Sequence, residues 1–149
     1  MQFPKTHREL KEVFTTAAAP EIVDLNGEYL VDMLTVFPSF KRFSHRKVIY
    51  QDNDKVKGHN ILFGKKWGYF LIDESICRMV DSVNVAVINY NRPENMLPIR
   101  GIRDQLRCVD KGNLYIGRFN YLLAGKLYFL GYFSLEKIMQ ERGCPAPAK

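Results

Sequence analysis

Two charged side chains, Arg100 and Asp104, stand on the same face of a predicted β-strand and are well placed to do chemistry. Side chains alternate between the two faces of a strand, so they share their face with Ile102, Leu106 and Cys108. That face is the more apolar one, and we therefore expect it to point into the protein. A charged pair there is costly unless the two groups pair with each other or with a polar group of a ligand.

The functional interpretation is that Arg100 and Asp104 form a buried polar anchor for an otherwise apolar ligand. Glu28 or Asp32 from an earlier strand could join them, because the first and last strands of a barrel are neighbours. A carboxylate in an apolar interior has a raised pKa, so Asp104, Glu28 or Tyr29 would be the acid–base groups of an enzyme. Two alternatives stay open: a satisfied internal ion pair, or the opposite strand orientation with both residues in water.

Aromatic side chains are concentrated in the predicted strands, where they either line a pocket or form an ordinary core. An eight-stranded barrel fills its interior with side chains or holds one small ligand. Gly117 and Gly131 interrupt two of the strands, which indicates a bend or a close approach and leaves room inside. The candidate lining residues are Trp67, Tyr69, Phe70, Tyr115, Phe119, Phe129 and Phe133.

The residue spacing does not support other kinds of site. His7, His45 and His59 stand far apart and show no zinc-binding spacing, so we expect no metal. No glycine-rich phosphate loop and no nucleophile elbow occurs, and we expect no cofactor. Cys108 lies in the middle of a predicted strand, where a buried thiol is more common than a nucleophile.

Composition and cysteine usage indicate one cytoplasmic domain over residues 1–149. The 149 residues are enough for a single core, and the chain is 46% hydrophobic and 26% charged. Three cysteines without a CxxC spacing do not form a disulfide framework. The N-terminal MQFPKTHREL does not resemble a signal peptide, and we expect no membrane span.

The net charge of +6 is concentrated in residues 41–66, which hold eight of the Lys and Arg residues and two Asp. A basic segment with interleaved aromatic side chains can attract an anionic partner. The alternative is that these charges form the solvated outer face of two strands. Nucleic acid is not the expected partner, because no nucleic-acid-binding motif accompanies the charge. A homodimer is left open.

A helical segment at residues 5–24 is expected to precede the strands. Thr6 and Glu9 have the spacing of a capping box, and the apolar stripe that follows runs to about Ala18. Residues 27–134 then show short apolar runs separated by turn residues. This pattern predicts a mainly β protein, either an antiparallel barrel or a sandwich. We expect the barrel, with an antiparallel up-and-down order of about eight or nine strands.

The last three predicted strands form a meander, with turns at Asp110–Asn113 and Ala124–Gly125. After them, the apolar spacing predicts a short C-terminal helix at 135–142, and residues 143–149 are expected to be a disordered tail. The predicted strands lie at about 28–36, 43–50, 56–63, 67–73, 76–80, 83–90, 99–109, 114–122 and 126–133.

The order of elements resembles the calycin superfamily of lipocalins and fatty-acid-binding proteins. A helix, a Gly-x-aromatic motif at Gly27–Tyr29, antiparallel strands and a final helix carry the resemblance over most of the chain. The motif differs from the Gly-x-Trp of lipocalins. The Arg-x-Tyr of fatty-acid-binding proteins does not occur, because Arg118 is followed by Phe119 and Asn120. The resemblance implies a fold and a general ligand-binding role but no particular site.

Three functional hypotheses follow. The first is intracellular binding of a small hydrophobic molecule inside a calycin-like barrel. The second is an enzyme, an isomerase, cyclase or lyase, that uses the same cavity. The third is an interaction module with a basic surface, which predicts a filled barrel and salt-sensitive binding. The candidate ligand-binding residues are Glu28, Tyr29, Trp67, Tyr69, Arg100, Asp104, Tyr115, Phe119 and Phe129.

Overall fold

Eight antiparallel strands close into a barrel in the computed structural model, which describes residues 2–35 and 45–139. The strands are β1 (Gly27–Met33), β2 (His45–Asp52), β3 (Lys55–Leu62), β4 (Lys65–Cys77), β5 (Val83–Asn89), β6 (Arg103–Asp110), β7 (Leu114–Leu123) and β8 (Lys126–Lys137). Each strand pairs with the next along the chain, and β1 pairs with β8 to close the barrel. The predicted up-and-down barrel is therefore confirmed.

The N-terminal helix α1 (His7–Thr16) packs against the outside of the barrel. Thr6 caps the helix as the sequence predicts. Its hydroxyl accepts a hydrogen bond from the Glu9 amide over 3.2 Å and donates one to the Glu9 carboxylate over 2.7 Å. Leu10 and Phe14, one turn apart, are fully buried and belong to the cluster that covers β7 and β8. This apolar stripe is what holds the helix on the barrel.

The helix ends at Thr16, two residues earlier than expected, because the chain beyond it pairs with β6. Ala18 and Cys108 exchange backbone hydrogen bonds of 2.8 and 2.9 Å. The register of β5 with β6 begins at Ala86 and Leu106. The segment after α1 therefore supplies the partner for the part of β6 that β5 does not cover.

Arg107 ties the C-terminus of α1 to the barrel and is itself only 6% exposed. Its guanidinium donates to the backbone oxygens of Phe14, Thr15, Ala17 and Asn84. The last carbonyl groups of a helix lack partners within the helix, and a cation there is also favoured by the helix dipole. Arg107 thus acts as a cap supplied from a distant strand.

We expect Arg107→Ala to lower the free energy of unfolding by about 3 kcal/mol, because it leaves several buried carbonyl groups without a donor. Urea unfolding followed by circular dichroism measures this change. Arg78→Ala is the matched control, since Arg78 is exposed in the turn after β4, and it should change the free energy by less than about 0.5 kcal/mol. Equal effects of the two substitutions would contradict the capping role of Arg107.

One long strand replaces two predicted ones. β4 continues to Cys77, whereas the sequence predicted separate strands at 67–73 and 76–80. It stays in register with β5 from Leu71 to Cys77 without a break. The turn comes only at about Asp81, which has a φ of 46°. The described barrel therefore has eight strands rather than nine.

Two further element boundaries in the structure differ from those predicted from the sequence. The predicted strand at 99–109 starts later, because Leu97–Gly101 forms a 3-10 helix with a proline in its first turn. The predicted C-terminal helix at 135–142 is not shown, since β8 extends through Lys137. Leu135 is fully buried in the barrel core, which holds this stretch in the sheet. The predicted tail at 143–149 lies outside the described residues.

Within residues 2–35 and 45–139, none of the helices combines the length and the apolar character needed to cross a membrane. The two cysteines in these ranges, Cys77 and Cys108, are buried free thiols. Burial raises the pKa of the Cys108 thiol above its usual range, so its thiolate is disfavoured.

Candidate ligand-binding cavity

A cavity of about 300 Å³ lies inside the barrel, at the end where β1 finishes and β2 begins. Its volume is at the lower limit of ordinary small-molecule sites. The rest of the interior is filled by side chains, among them the fully buried rings of Tyr29 and Tyr115. The apolar part of the cavity wall consists of Val31, Met33, Leu62, Ile102, Phe119 and Phe133.

A hydrogen-bonded lysine forms the polar part of the wall. Lys47 is 2% exposed, and its Nζ donates to Asn60 Oδ1 over 2.7 Å and to the Tyr90 hydroxyl over 2.6 Å. The Asn60 amide in turn donates to the Tyr90 hydroxyl and to the Gly68 carbonyl, each over 3.1 Å. The Lys47 nitrogen is therefore held in one position by side chains from β3 and from the end of β5.

Asp104 faces the same cavity and is 4% exposed. Its Oδ1 atom is buried and accepts no hydrogen bond from any residue that the structure describes. Burial raises the pKa of Asp104 to about 7, although the Lys47 charge opposes the shift. Burial also lowers the pKa of Lys47 to about 8, against the effect of Asp104. Both groups therefore titrate near neutral pH, and Asp104 keeps an acceptor atom for a ligand.

His45 and Trp67 complete the polar wall, with their ring centroids 5.8 Å apart. Nε2 of His45 lies 3.3 Å from Oδ1 of Asn60. Burial, together with the Lys47 charge, lowers the pKa of His45 to about 4, so the imidazole is neutral at neutral pH. The indole Nε1 of Trp67 is buried and has no acceptor within the described ranges. A ligand with an acceptor atom would satisfy it.

A β-bulge at Gly68 sets the direction of the Trp67 side chain in this wall. Gly58 and Asn60 of β3 pair with Phe70 and Trp67 of β4, so β4 carries one extra residue between them. Gly68 takes a φ of 60°, and a Cβ there would lie 2.7 Å from the Asn60 amide nitrogen. The extra residue turns Trp67 and Phe70 to the same, inner side of the barrel.

Four of the predicted residues, Trp67, Asp104, Phe119 and Phe133, do line the cavity. Tyr29 and Tyr115 point inward but belong to the filled part of the barrel, where their rings meet edge to face at 5.9 Å. The Tyr29 hydroxyl donates to a backbone oxygen over 2.9 Å, and burial raises its pKa well above the usual value. Tyr29 is therefore not placed to exchange protons with a ligand in the cavity.

Glu28 and Arg100 lie outside the cavity. Glu28 is on the outer face of β1 and pairs with Arg46 over 3.0 Å. Arg100 was expected beside Asp104, but the chain forms a 3-10 helix there and strand alternation does not extend to it. Its guanidinium instead donates to the backbone oxygens of Asn95 and Pro93 over 2.9 and 3.1 Å.

Tyr69 and Phe129 are also on the outside, because strand irregularities reverse the alternation. Tyr69 follows the bulge at Gly68, and its ring lies 6.0 Å from that of His59. β8 carries one extra residue between Phe129 and Gly131, where its register with β7 shifts. The centre of the Phe129 ring lies 3.9 Å from the Arg118 guanidinium, in the cluster under α1. Both are candidate lining residues in the sequence, where a regular period of two would put Tyr69 on the face of Trp67 and Phe129 on the face of Phe133.

Four polar residues of the cavity are not among the site residues that the sequence predicts, namely His45, Lys47, Asn60 and Tyr90. Lys47 lies two residues before the buried Ile49 and therefore shares its face of β2, which is a signal for the inner face. However, Val48 and Tyr50 are just as apolar, so the pattern alone did not decide which face is inside.

The basic segment 41–66 presents less charge on the surface than its composition indicates. Lys47 is inside the barrel, Arg46 pairs with Glu28, and Lys57 pairs with Asp52. Residues 41 and 42 lie outside the described ranges. The exposed basic side chains of this segment that form no ion pair with another described residue are Lys55, Lys65 and Lys66.

A larger depression of about 620 Å³ lies on the outside of the barrel, between the N-terminal segment and β1 and β8. Lys5, His7 and Glu136 on its wall are exposed, so a polar ligand there would compete with water for them. Asp32, which was expected to join Asp104 inside the barrel, lies on this wall instead, and its Oδ1 is buried without a partner among the described residues. The inner cavity holds two such atoms, on Asp104 and Trp67, beside the buried Lys47. The inner cavity is therefore the stronger candidate site.

The fold and the cavity together define a closed, eight-stranded β-barrel with a buried polar cluster in its interior. No protein-family model matches the chain, and no curated protein or solved structure matches it either. Its function is therefore inferred from the cavity residues themselves.

Proposed function

We propose that the protein binds a small apolar molecule with a polar end inside the barrel, in the manner of an intracellular calycin. The observation that carries this proposal is the buried polar cluster, in which Asp104 Oδ1 and Trp67 Nε1 have no partner among the described residues. A buried polar atom without a partner costs about 1–3 kcal/mol. A ligand that supplies a donor and an acceptor would recover part of this cost.

The chemistry of the cavity favours a polar end without charge. Lys47 and Asp104 already offset each other when both are ionised, so an added carboxylate would leave a net charge in an apolar interior. A hydroxyl or a carbonyl group meets the same donors and acceptors without that cost. The apolar wall would cover the rest of the molecule.

A second candidate function is the transfer of protons as an isomerase, cyclase or lyase. Asp104 and Lys47 favour it, because their pKa values of about 7 and about 8 allow both groups to give and take protons near neutral pH. Extraction of the protein after incubation with a ligand separates the two functions. Unchanged ligand supports binding, and altered ligand supports the enzyme.

We expect Met33→Trp to weaken binding of the neutral dye phenylnaphthylamine at least about tenfold, or about 1.4 kcal/mol. Met33 lines the cavity, and an indole there would occupy ligand space. Dye fluorescence on titration measures the affinity. Met96→Trp is the matched control, because Met96 is 73% exposed, and it should bind the dye like the unmodified protein. Equal affinities of the two variants would overturn binding in the cavity.

A further inference from the structure

We propose that Lys47 captures an apolar aldehyde or ketone as an imine inside the barrel. This inference rests on the proposed function, because the carbonyl compound must first enter the cavity. It goes further by assigning a covalent step to one side chain and a substrate class to the site.

The position of the Lys47 nitrogen suits a nucleophile. A neutral amine has two N–H groups and one lone pair. Two N–H donors are accounted for by Asn60 Oδ1 at 2.7 Å and by the Tyr90 hydroxyl at 2.6 Å. The lone pair then remains for a carbonyl carbon in the cavity that Lys47 lines. Nζ also lies 4.9 Å from the ring centroid of Phe70 and 5.2 Å from that of Tyr90, which limits the access of water.

The protonation state agrees with this role. An exposed lysine titrates near 10.5, whereas burial brings the pKa of Lys47 to about 8. A larger fraction of the Lys47 side chain is therefore the neutral, nucleophilic amine at physiological pH. Lys47 is the one buried lysine in the part of the chain that the structure describes, so the effect is confined to this site.

The bonds of the step balance without a further reactant. The Lys47 lone pair forms a C–N bond with the carbonyl carbon, and the C=O π electrons move to the oxygen. The oxygen takes a proton from the Tyr90 hydroxyl, the nitrogen loses one to the Tyr90 oxygen, which lies 2.6 Å away, and a carbinolamine results. Protonated Asp104, which lines the same cavity, gives the oxygen a second proton, water leaves, and the nitrogen lone pair closes the C=N bond. The protonated imine returns its remaining proton to Asp104, so that a neutral imine and water are the products.

Reductive trapping tests the proposal. The whole protein is incubated with naphthaldehyde at limiting concentration, treated with cyanoborohydride, digested and analysed by mass spectrometry. We expect one reduced adduct, located on Lys47, and little on the exposed Lys55. Lys47→Met should lose the adduct and Lys55→Met should keep it. Since Lys47→Met also removes the positive charge that acts on Asp104, Lys47→Arg serves as a second variant, and circular dichroism checks the folding of both.

The matched alcohol, naphthylmethanol, distinguishes this proposal from the proposed function. If the alcohol competes with the dye but the aldehyde gives no Lys47 adduct, the imine is overturned while binding in the cavity stands. If the adducts spread over the exposed lysines, or persist in Lys47→Met, the imine at this site is overturned as well. If neither compound displaces the dye, both proposals fail. A single Lys47 adduct that the alcohol suppresses supports both.

Discussion

Asp104→Asn should remove a loss of stability that the unmodified protein suffers between pH 5 and pH 8. Burial raises the pKa of Asp104 to about 7, from about 3.9 in an unfolded chain. Between these values the folded protein binds the proton more tightly, so the stabilising contribution is present at low pH and is lost as the pH rises through the folded pKa. Each pH unit is worth about 1.4 kcal/mol, so the loss over pH 5–7 is about 3 kcal/mol.

Lys47 contributes with the opposite shift. Burial lowers its pKa to about 8 from 10.5, so the unfolded chain binds more protons between these values and stability rises with pH there. In Asp104→Asn the lysine loses its counter-ion and its pKa falls further, which extends this rise to lower pH. Both changes therefore make the variant gain stability relative to the unmodified protein as the pH increases from 5 to 8.

Urea unfolding at several pH values measures this difference. Asp73→Asn is the matched control, because Asp73 is an exposed aspartate on β4, and it should keep the pH dependence of the unmodified protein. Parallel stability curves for Asp104→Asn and the unmodified protein would show that Asp104 does not titrate in this range. The Lys47–Asp104 pair would then lose its role in proton transfer.

The barrel was predictable because its signals are local. Turn residues, strand length and the cap at Thr6 each act within a few residues, and a one-residue error at a strand end does not change the fold. The extra strand came from dividing β4, where no turn residue forces a break. The strand at 135–137, where the sequence predicted the start of a helix, has a different cause. Leu135 fits a helical stripe, but its burial against the barrel core keeps it in β8.

The cavity was only partly predictable because it depends on contacts between distant strands. Asp104 is predictable from its own strand, because it lies two residues before Leu106 and shares its buried face. The sequence places Lys47 within the basic segment and gives no sign of its burial, because lysine is rarely buried without a partner and the partners of Lys47 are on other strands. The bulge at Gly68 decides that Trp67 faces inward and Tyr69 outward, and it arises from pairing with β3.

Bromobenzyl alcohol should quench most of the tryptophan fluorescence of the protein, whereas methylbenzyl alcohol, of the same shape, should not. Trp67 is the only tryptophan of the chain, and it lines the cavity with its Nε1 buried and without an acceptor among the described residues. A bromine atom quenches an excited indole only at contact distance. The difference between the two alcohols therefore reports a ligand in the cavity rather than a change in the protein.

A displaced tryptophan makes this test specific to the inner face of β4. The double substitution Trp67→Phe and Tyr69→Trp moves the only indole two residues along the strand, past the bulge at Gly68, to the outer face. Quenching by bromobenzyl alcohol should then be lost, although the alcohol still binds and still displaces the dye. Equal quenching in both proteins would place the ligand elsewhere. Quenching confined to Trp67 would locate it beside Lys47 and Asp104, where the proposed chemistry requires it.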